Sequence, residues 1–261
     1  MIRHWSIPVS ALALAAGSLA IATPAMAATT APAAHTHFVP GGVLFKPATA
    51  LGTHGAARAG DKIEYSSNWS GYAVTGGTYT SVSATWVQNA GTCSSSDTDT
   101  DMSPWVGIDG YSSSSVEQTG TSVDCSGATK TYYAWYEMYP ANFVTINHTV
   151  KAGDTFYGAV TRSGTSYTLT LKDETQGWTN TVTKTGSNAN SSAEAIMEMA
   201  ADELTKWSGT DPFTSFTVNG VAAGSAGTTH QMEIESGSTL CDTTSSLSSG
   251  ENFTETWDNL C

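Results

Sequence analysis

The sequence predicts an all-β protein, a sandwich of antiparallel sheets. Three observations carry that reading. Short strand-like runs succeed one another with turn residues between them. Ser, Thr and Gly are abundant throughout the second part of the chain. No strand–helix alternation and no repeat of fixed period interrupts the pattern.

Taken in order, residues 1–27 read as a targeting signal. Arg3 and His4 form a short basic head, Ile7–Ala22 is apolar and Ala-rich, and Ala25-Met26-Ala27 is a small-residue cleavage site. The apolar run is short, and no later stretch is apolar enough to span a bilayer, so the expected product is exported, with no membrane attachment. Residues 28–60 differ in kind: they are rich in Ala, Pro, Thr and Gly, hold His35, His37 and His54, and contain no acidic residue. A flexible spacer is one reading; charge favours a pro-segment. All 23 Asp and Glu follow Gly60, with only seven of the ten Lys and Arg, so residues 61–261 carry a net −16. A basic leader can dock on such a body at neutral pH and lose its grip as carboxylates protonate in acid.

Residues 61–261 are enough chain for one large β unit. Strand-like runs occur at Asn68–Thr75, Val82–Gln88, Trp105–Asp109, Val116–Thr121, Tyr132–Tyr139, Phe143–Val150, Thr155–Thr161, Tyr167–Leu171, Phe213–Val218 and His230–Glu235. The few Lys and Arg exclude a basic face and with it nucleic acid as a partner. A monomer is the default expectation. Four cysteines in an exported chain point to two disulfides; of the three pairings, Cys93–Cys125 with Cys241–Cys261 is expected, the first tying the loops around the central hairpin and the second stapling the tail.

Three stretches hold candidate chemistry. Trp105–Thr121 reads as a hairpin around Gly110-Tyr111-Ser112, with Val116, Gln118 and Gly120 sharing one strand face. A mid-strand glutamine is either a half-exposed polar residue or an amide placed to hold a polarised carbonyl oxygen. Tyr133, Trp135, Glu137 and Tyr139 also share a face, as a cleft wall or as core with Glu137 at its rim. In Ala193–Glu198 a strand aligns Glu194, Ile196 and Glu198, whereas local propensity, continuing to Leu204, favours a helix. No nucleophile-elbow G-x-S-x-G, H-E-x-x-H or paired C-x-x-C is present, so neither a serine-hydrolase elbow nor zinc is expected. Asp97, Asp99 and Asp101 lack the glycine and terminal glutamate of an EF-hand and read as an acidic surface loop.

Together these stretches resemble the glutamic peptidases, or eqolisins, acid proteases insensitive to pepstatin. The resemblance rests on Ser67–Tyr72, Val82–Val87, Trp105–Gly110, Gln118-Thr119-Gly120, Ala134–Pro140 and Ala193–Glu198, in the family's order. It implies a sandwich of two large antiparallel sheets with a concave cleft, and a catalytic dyad of Gln118 and Glu198, so the strand reading of 193–198 is preferred. Trp105, Asp109, Trp135, Glu137 and Tyr139 match positions that line or support the cleft. The implied chemistry needs no metal or cofactor: Glu198 activates water, Gln118 holds the oxyanion, and the substrate is an extended polypeptide. Hydrogen bonds are expected to hold Glu198 at a low pKa. Thr121-Ser122 and Tyr133 depart from the family's acidic positions, which implies a cleft poorer in carboxyls. Two rival readings are a glycoside hydrolase with Glu137 and Glu198 as its carboxyl pair, and a carbohydrate-binding β-sandwich module.

Overall fold

The structure, a computed structural model, describes residues 44–48, 63–97, 99–201 and 203–261. The targeting stretch and most of the leader lie outside the described residues. The strands, in chain order, are β1 (Ile63–Ser66), β2 (Trp69–Thr75), β3 (Ser81–Val87), β4 (Thr100–Ile108), β5 (Val116–Ser126), β6 (Thr129–Tyr139), β7 (Val144–Ile146), β8 (Thr155–Ser163) and β9 (Ser166–Asp173). They continue with β10 (Trp178–Thr185), β11 (Ser192–Glu198), β12 (Glu203–Leu204), β13 (Thr210–Val218), β14 (Val221–Ala222), β15 (Thr228–Ser236), β16 (Thr239–Thr244) and β17 (Phe253–Trp257). Among the described residues, the helical content is one 3-10 turn, Ala223–Ser225.

The pairings form two layers. One runs β7-β6-β5-β4-β11-β2-β15-β1. The other runs β10-β9-β8-β3-β13-β17-β16, and β16 bonds to β15 so that the layers join at that edge. Every pairing is antiparallel except β1 with β15 and β12 with β4. Strand alternation explains the sandwich: Tyr72, Val74, Val106, Ile108, Ala193 and Ala195 face inward from the first layer. Trp86, Phe156, Leu169, Leu171, Phe213 and Val218 meet them from the second. A one-residue slip in any of these strands would turn its apolar set outward, so the core fixes the register.

The expected runs form strands, one of them shortened, and six further strands among the described residues, β1, β10, β12, β14, β16 and β17, lie outside them. Phe143–Val150 contracts to β7, because the chain turns after Ile146 and the His148 N–H bonds back to the Ile146 carbonyl at 2.8 Å. Strand β10 was not expected. Among the described residues it pairs only with β9, and it alternates half-buried with exposed residues, so its Thr-rich sequence carries no strong apolar period. Both disulfides form as expected, Cys93–Cys125 and Cys241–Cys261, with Cα separations of 5.4 and 5.7 Å.

Candidate active site

The site is built on the face of the first layer that points away from the inter-sheet core. Cross-strand register assembles it in three rows. Trp69, Glu198 and Ser103 form one; Ile196, Trp105, Gly120 and Trp135 form the next; Glu194, Gly107, Gln118 and Glu137 form the third. Residues paired across a sheet share a face, so Gln118 and Glu198 stand on the same side from strands flanking β4. Ala193–Glu198 is therefore a strand, and its helical propensity is overridden. β11 lies between β2 and β4 and all seven of its residues are buried.

Trp105 occupies the ground between the two candidates. Its indole lies down against β4 because two neighbours lack side chains. A Cβ on Gly120 would stand 2.6 Å from the Trp105 Cβ, and one on Gly107 would stand 2.8 Å from the ring. From there Trp105 Nε1 donates to Glu198 Oε2 at 2.9 Å. Trp69 packs edge-on against Trp105, ring centroids 5.0 Å apart, and its side chain also hydrogen-bonds Glu198. The second oxygen, Glu198 Oε1, is buried with no hydrogen-bond partner.

These donors do not hold Glu198 low, contrary to the sequence expectation. Burial raises its pKa well above the ordinary carboxylate range, and the charges of Asp101 and Glu137 add to the rise. The two indoles pull the other way and lose, because removing a carboxylate from water outweighs two N–H bonds. Gln118 Nε2 donates to Glu137 Oε2 at 2.8 Å. Glu137 is itself buried rather than at a rim, and desolvation pushes its pKa to about 8 despite that bond.

Asp101 corrects the surface-loop reading. It is fully buried on β4, in phase with Ser103 and Trp105, and accepts the backbone N–H groups of Ala200 at 3.0 Å and Ala201 at 2.7 Å. Burial raises its pKa to about 7. Its cross-strand partner Asp124 accepts from the Tyr133 hydroxyl at 3.0 Å and is raised to about 8, by burial first and by Asp101 second. The departures at Thr121-Ser122 and Tyr133 therefore do not leave this face poor in carboxyls. The period-two phase of residues 101, 103 and 105 was the available signal for Asp101. Trp69 lay in a matched motif, but nothing in its spacing marked it as a partner of Glu198.

The remaining candidates act as supports. Trp135 is buried and donates from Nε1 to Ser122 Oγ at 2.8 Å. The Ser122 hydroxyl in turn lies 2.7 Å from that of Ser103. Tyr139 packs beside the Trp69–Trp105–Trp135 cluster. Asp109 holds the segment before β11. Its carboxylate accepts the Asn190 N–H at 2.6 Å and the Ser191 N–H at 2.9 Å, which sets the entry of β11.

The two-layer β-sandwich thus carries a buried Gln, Glu and Trp constellation on its outer face. The sequence model described as the Peptidase A4 family matches residues 67–257. A crystal structure of scytalido-glutamic peptidase with a peptide-based transition-state analogue is similar at 25% identity and a TM-score of 0.63, covering 74% of this chain and 98% of that one. A second structure of that peptidase, with a transition-state analogue inhibitor, gives 24% and 0.64 over the same shares. SCP-B, an eqolisin-family peptidase in complex with the tripeptide Ala-Ile-His, gives 24% and 0.59, again over those shares. No curated protein sequence matches this chain. The chain belongs to the Peptidase A4 family, the glutamic peptidases or eqolisins. It is a glutamic-type peptidase acting on polypeptides, which displaces the glycosidase and carbohydrate-module readings.

Proposed function

We propose that this chain is an exported acid endopeptidase whose catalytic dyad is Gln118 and Glu198. The observation that carries the reading is the state of Glu198: one oxygen is held by Trp105, and the other is buried, unengaged and on the face shared with the Gln118 amide. A water on Oε1 attacks the scissile carbonyl while Glu198 accepts its proton. Gln118, anchored through Glu137, donates an N–H to the developing oxyanion. Protonated Glu198 then delivers the proton to the leaving nitrogen. Base action needs the ionised form. The indole donors favour it, and water entering with the substrate restores part of the solvation that burial removes. The basic, signal-like start of the chain supports export, and the acid-free composition of residues 28–60 supports a pro-segment.

The test is cleavage of a denatured protein across pH 2–8 (a scan on the order of that set by carboxylate and His titration), with pepstatin present, for wild type, Glu198→Gln and Gln118→Ala. Activity confined to acid in the wild type and lost in Glu198→Gln supports the dyad. Undiminished proteolysis by Glu198→Gln removes that carboxylate from the mechanism.

A further inference from the structure

Five residues of the leader, 44–48, are described, and they do not dock by charge alone. They lie on the main chain of the body as an extended peptide. Asn68 holds this peptide with both ends of its carboxamide: Nδ2 donates to the Leu44 carbonyl at 3.2 Å, and Oδ1 accepts the Lys46 N–H at 3.0 Å. These two groups flank Phe45. The Phe45 N–H donates to the Gly110 carbonyl at 3.3 Å, so the backbone around this one residue is matched on three atoms. The pairing continues as Ser67 N–H to the Lys46 carbonyl and Ala48 N–H to the Tyr65 carbonyl, both 2.9 Å.

With its backbone so held, the Phe45 ring lands between two aromatic walls. Its centroid is 4.9 Å from that of Tyr111 and 6.1 Å from that of Trp69. Trp69 is the ring that also contacts Glu198, so Phe45 sits one indole away from the proposed base. Tyr111 is held in place from behind. Its hydroxyl donates to Glu64 Oε2 at 2.5 Å and lies 3.0 Å from His230 Nδ1, which is itself 2.7 Å from Glu64 Oε1. Gly110 is required for the approach: its φ is +110°, and a Cβ there would stand 2.9 Å from the Trp69 ring.

We propose that Asn68, Trp69 and Tyr111 form a substrate subsite that clamps a polypeptide backbone and selects an aromatic side chain, and that Phe45 fills it as an internal occupant. This rests on the peptidase reading of Gln118 and Glu198. An Asn carboxamide that pairs with the carbonyl before a residue and the N–H after it recognises any extended peptide. The rings then decide which side chain is preferred. Tyr111 is the specificity residue, and Glu64 and His230 are positioning residues.

The experiment is steady-state cleavage, by the full chain, of matched peptides in which each position in turn carries Phe, Leu, Ala or Asp. One position is expected at which Phe exceeds Ala in kcat/KM by about tenfold or more. In Tyr111→Ala that ratio falls towards one, and Tyr111→Phe restores it. Phe45→Ala in the full chain lowers the initial KM for the Phe peptide several-fold, because the internal competitor is gone. A readout independent of catalysis accompanies this: binding of a synthetic peptide of residues 41–48 to the Phe45→Ala chain, lost when the peptide's own Phe is replaced by Ala. Cleavage with no aromatic preference at any position, or a preference untouched in Tyr111→Ala, overturns the subsite. If Tyr111→Ala does not fold, the peptide-binding pair decides in the same two directions. Cleavage that survives Glu198→Gln would instead sink the underlying dyad, and the binding result would stand apart from it.

Discussion

Two regions of this molecule bury carboxyl groups, and they answer them differently. On the cleft face, Glu198, Glu137 and Asp101 are met by N–H donors: the indoles of Trp105 and Trp69, the Gln118 amide and the backbone of Ala200–Ala201. Between the layers, Asp211, Asp242 and Glu255 lie on β13, β16 and β17, fully buried. Their side-chain partners there are hydroxyls, Ser70 donating to Asp242 Oδ2 and Thr244 to Glu255 Oε2 at 2.7 Å, and the backbone of Thr256 also bonds Asp242. Asp211 pairs in register with Glu255, and neither of its carboxyl oxygens has a hydrogen-bond partner. An N–H can only donate and so favours a charged carboxylate. A hydroxyl can donate or accept and so serves a neutral acid as well. Burial pushes both sets towards the protonated form, and the cleft N–H donors oppose that push at the carboxyls they reach.

The largest expected effect breaks the comparison if it fails. Glu198→Gln keeps the shape and neutral charge of the buried acid, so it should reduce kcat/KM by about 10³-fold or more while the melting temperature in acid holds. A variant that loses activity only because it unfolds would make the cleft and interior groups alike. Gln118→Ala is next. Loss of the oxyanion donor should cost about 10²–10³ in kcat with little change in KM.

The pH dependence of stability tests the interior. Burial raises the pKa of Asp211, Asp242 and Glu255 well above the ordinary range, and neighbouring carboxyls, among them Asp258 and Glu233, raise the latter two further. The folded chain then holds protons that the unfolded chain has released. Stability should be greatest below the unfolded carboxylate range near pH 4 and fall as pH rises through the raised values, by about 1.4 kcal/mol per unit for each such group. On the cleft face Asp101 at about 7 and Asp124 and Glu137 at about 8, and on the opposite face of β5 Glu117 at about 8, extend the fall across neutrality. Melting curves at intervals from pH 3 to 8 (spanning roughly the ordinary carboxylate and His ranges) check this; equal or higher stability near neutrality would contradict it.

Two smaller effects sharpen the contrast. Trp105→Phe removes one donor from Glu198 and should move the acid limb of the pH–kcat/KM profile upward by about one unit, since a hydrogen bond to a charged group is worth about 1.5–3 kcal/mol. An unmoved limb would mean that the indole only fills space. Asp211→Asn removes one interior ionisation. It should flatten the loss of stability towards neutral pH and leave peptide turnover in acid as it was.

Much of this was legible in the residues themselves. Alternation alone placed Gln118 with Gly120 and Trp135 with Glu137, because a strand's side-chain period is two and needs no tertiary information. The four cysteines limited the pairings to three, and the order of six short motifs pointed to the family. The tertiary structure decided the rest. Ala193–Glu198 is helix-prone locally and becomes a central strand because β2 and β4 supply its hydrogen bonds and burial on both faces. Asp101 changed from a surface acid to a buried one because Ala200 and Ala201 close over it. The pKa direction of Glu198 reversed for the same reason. Sequence period sets which way a side chain points, but the cost of charging it depends on what covers it, and that is known only once distant segments, down to Phe45 on Trp69, have come together.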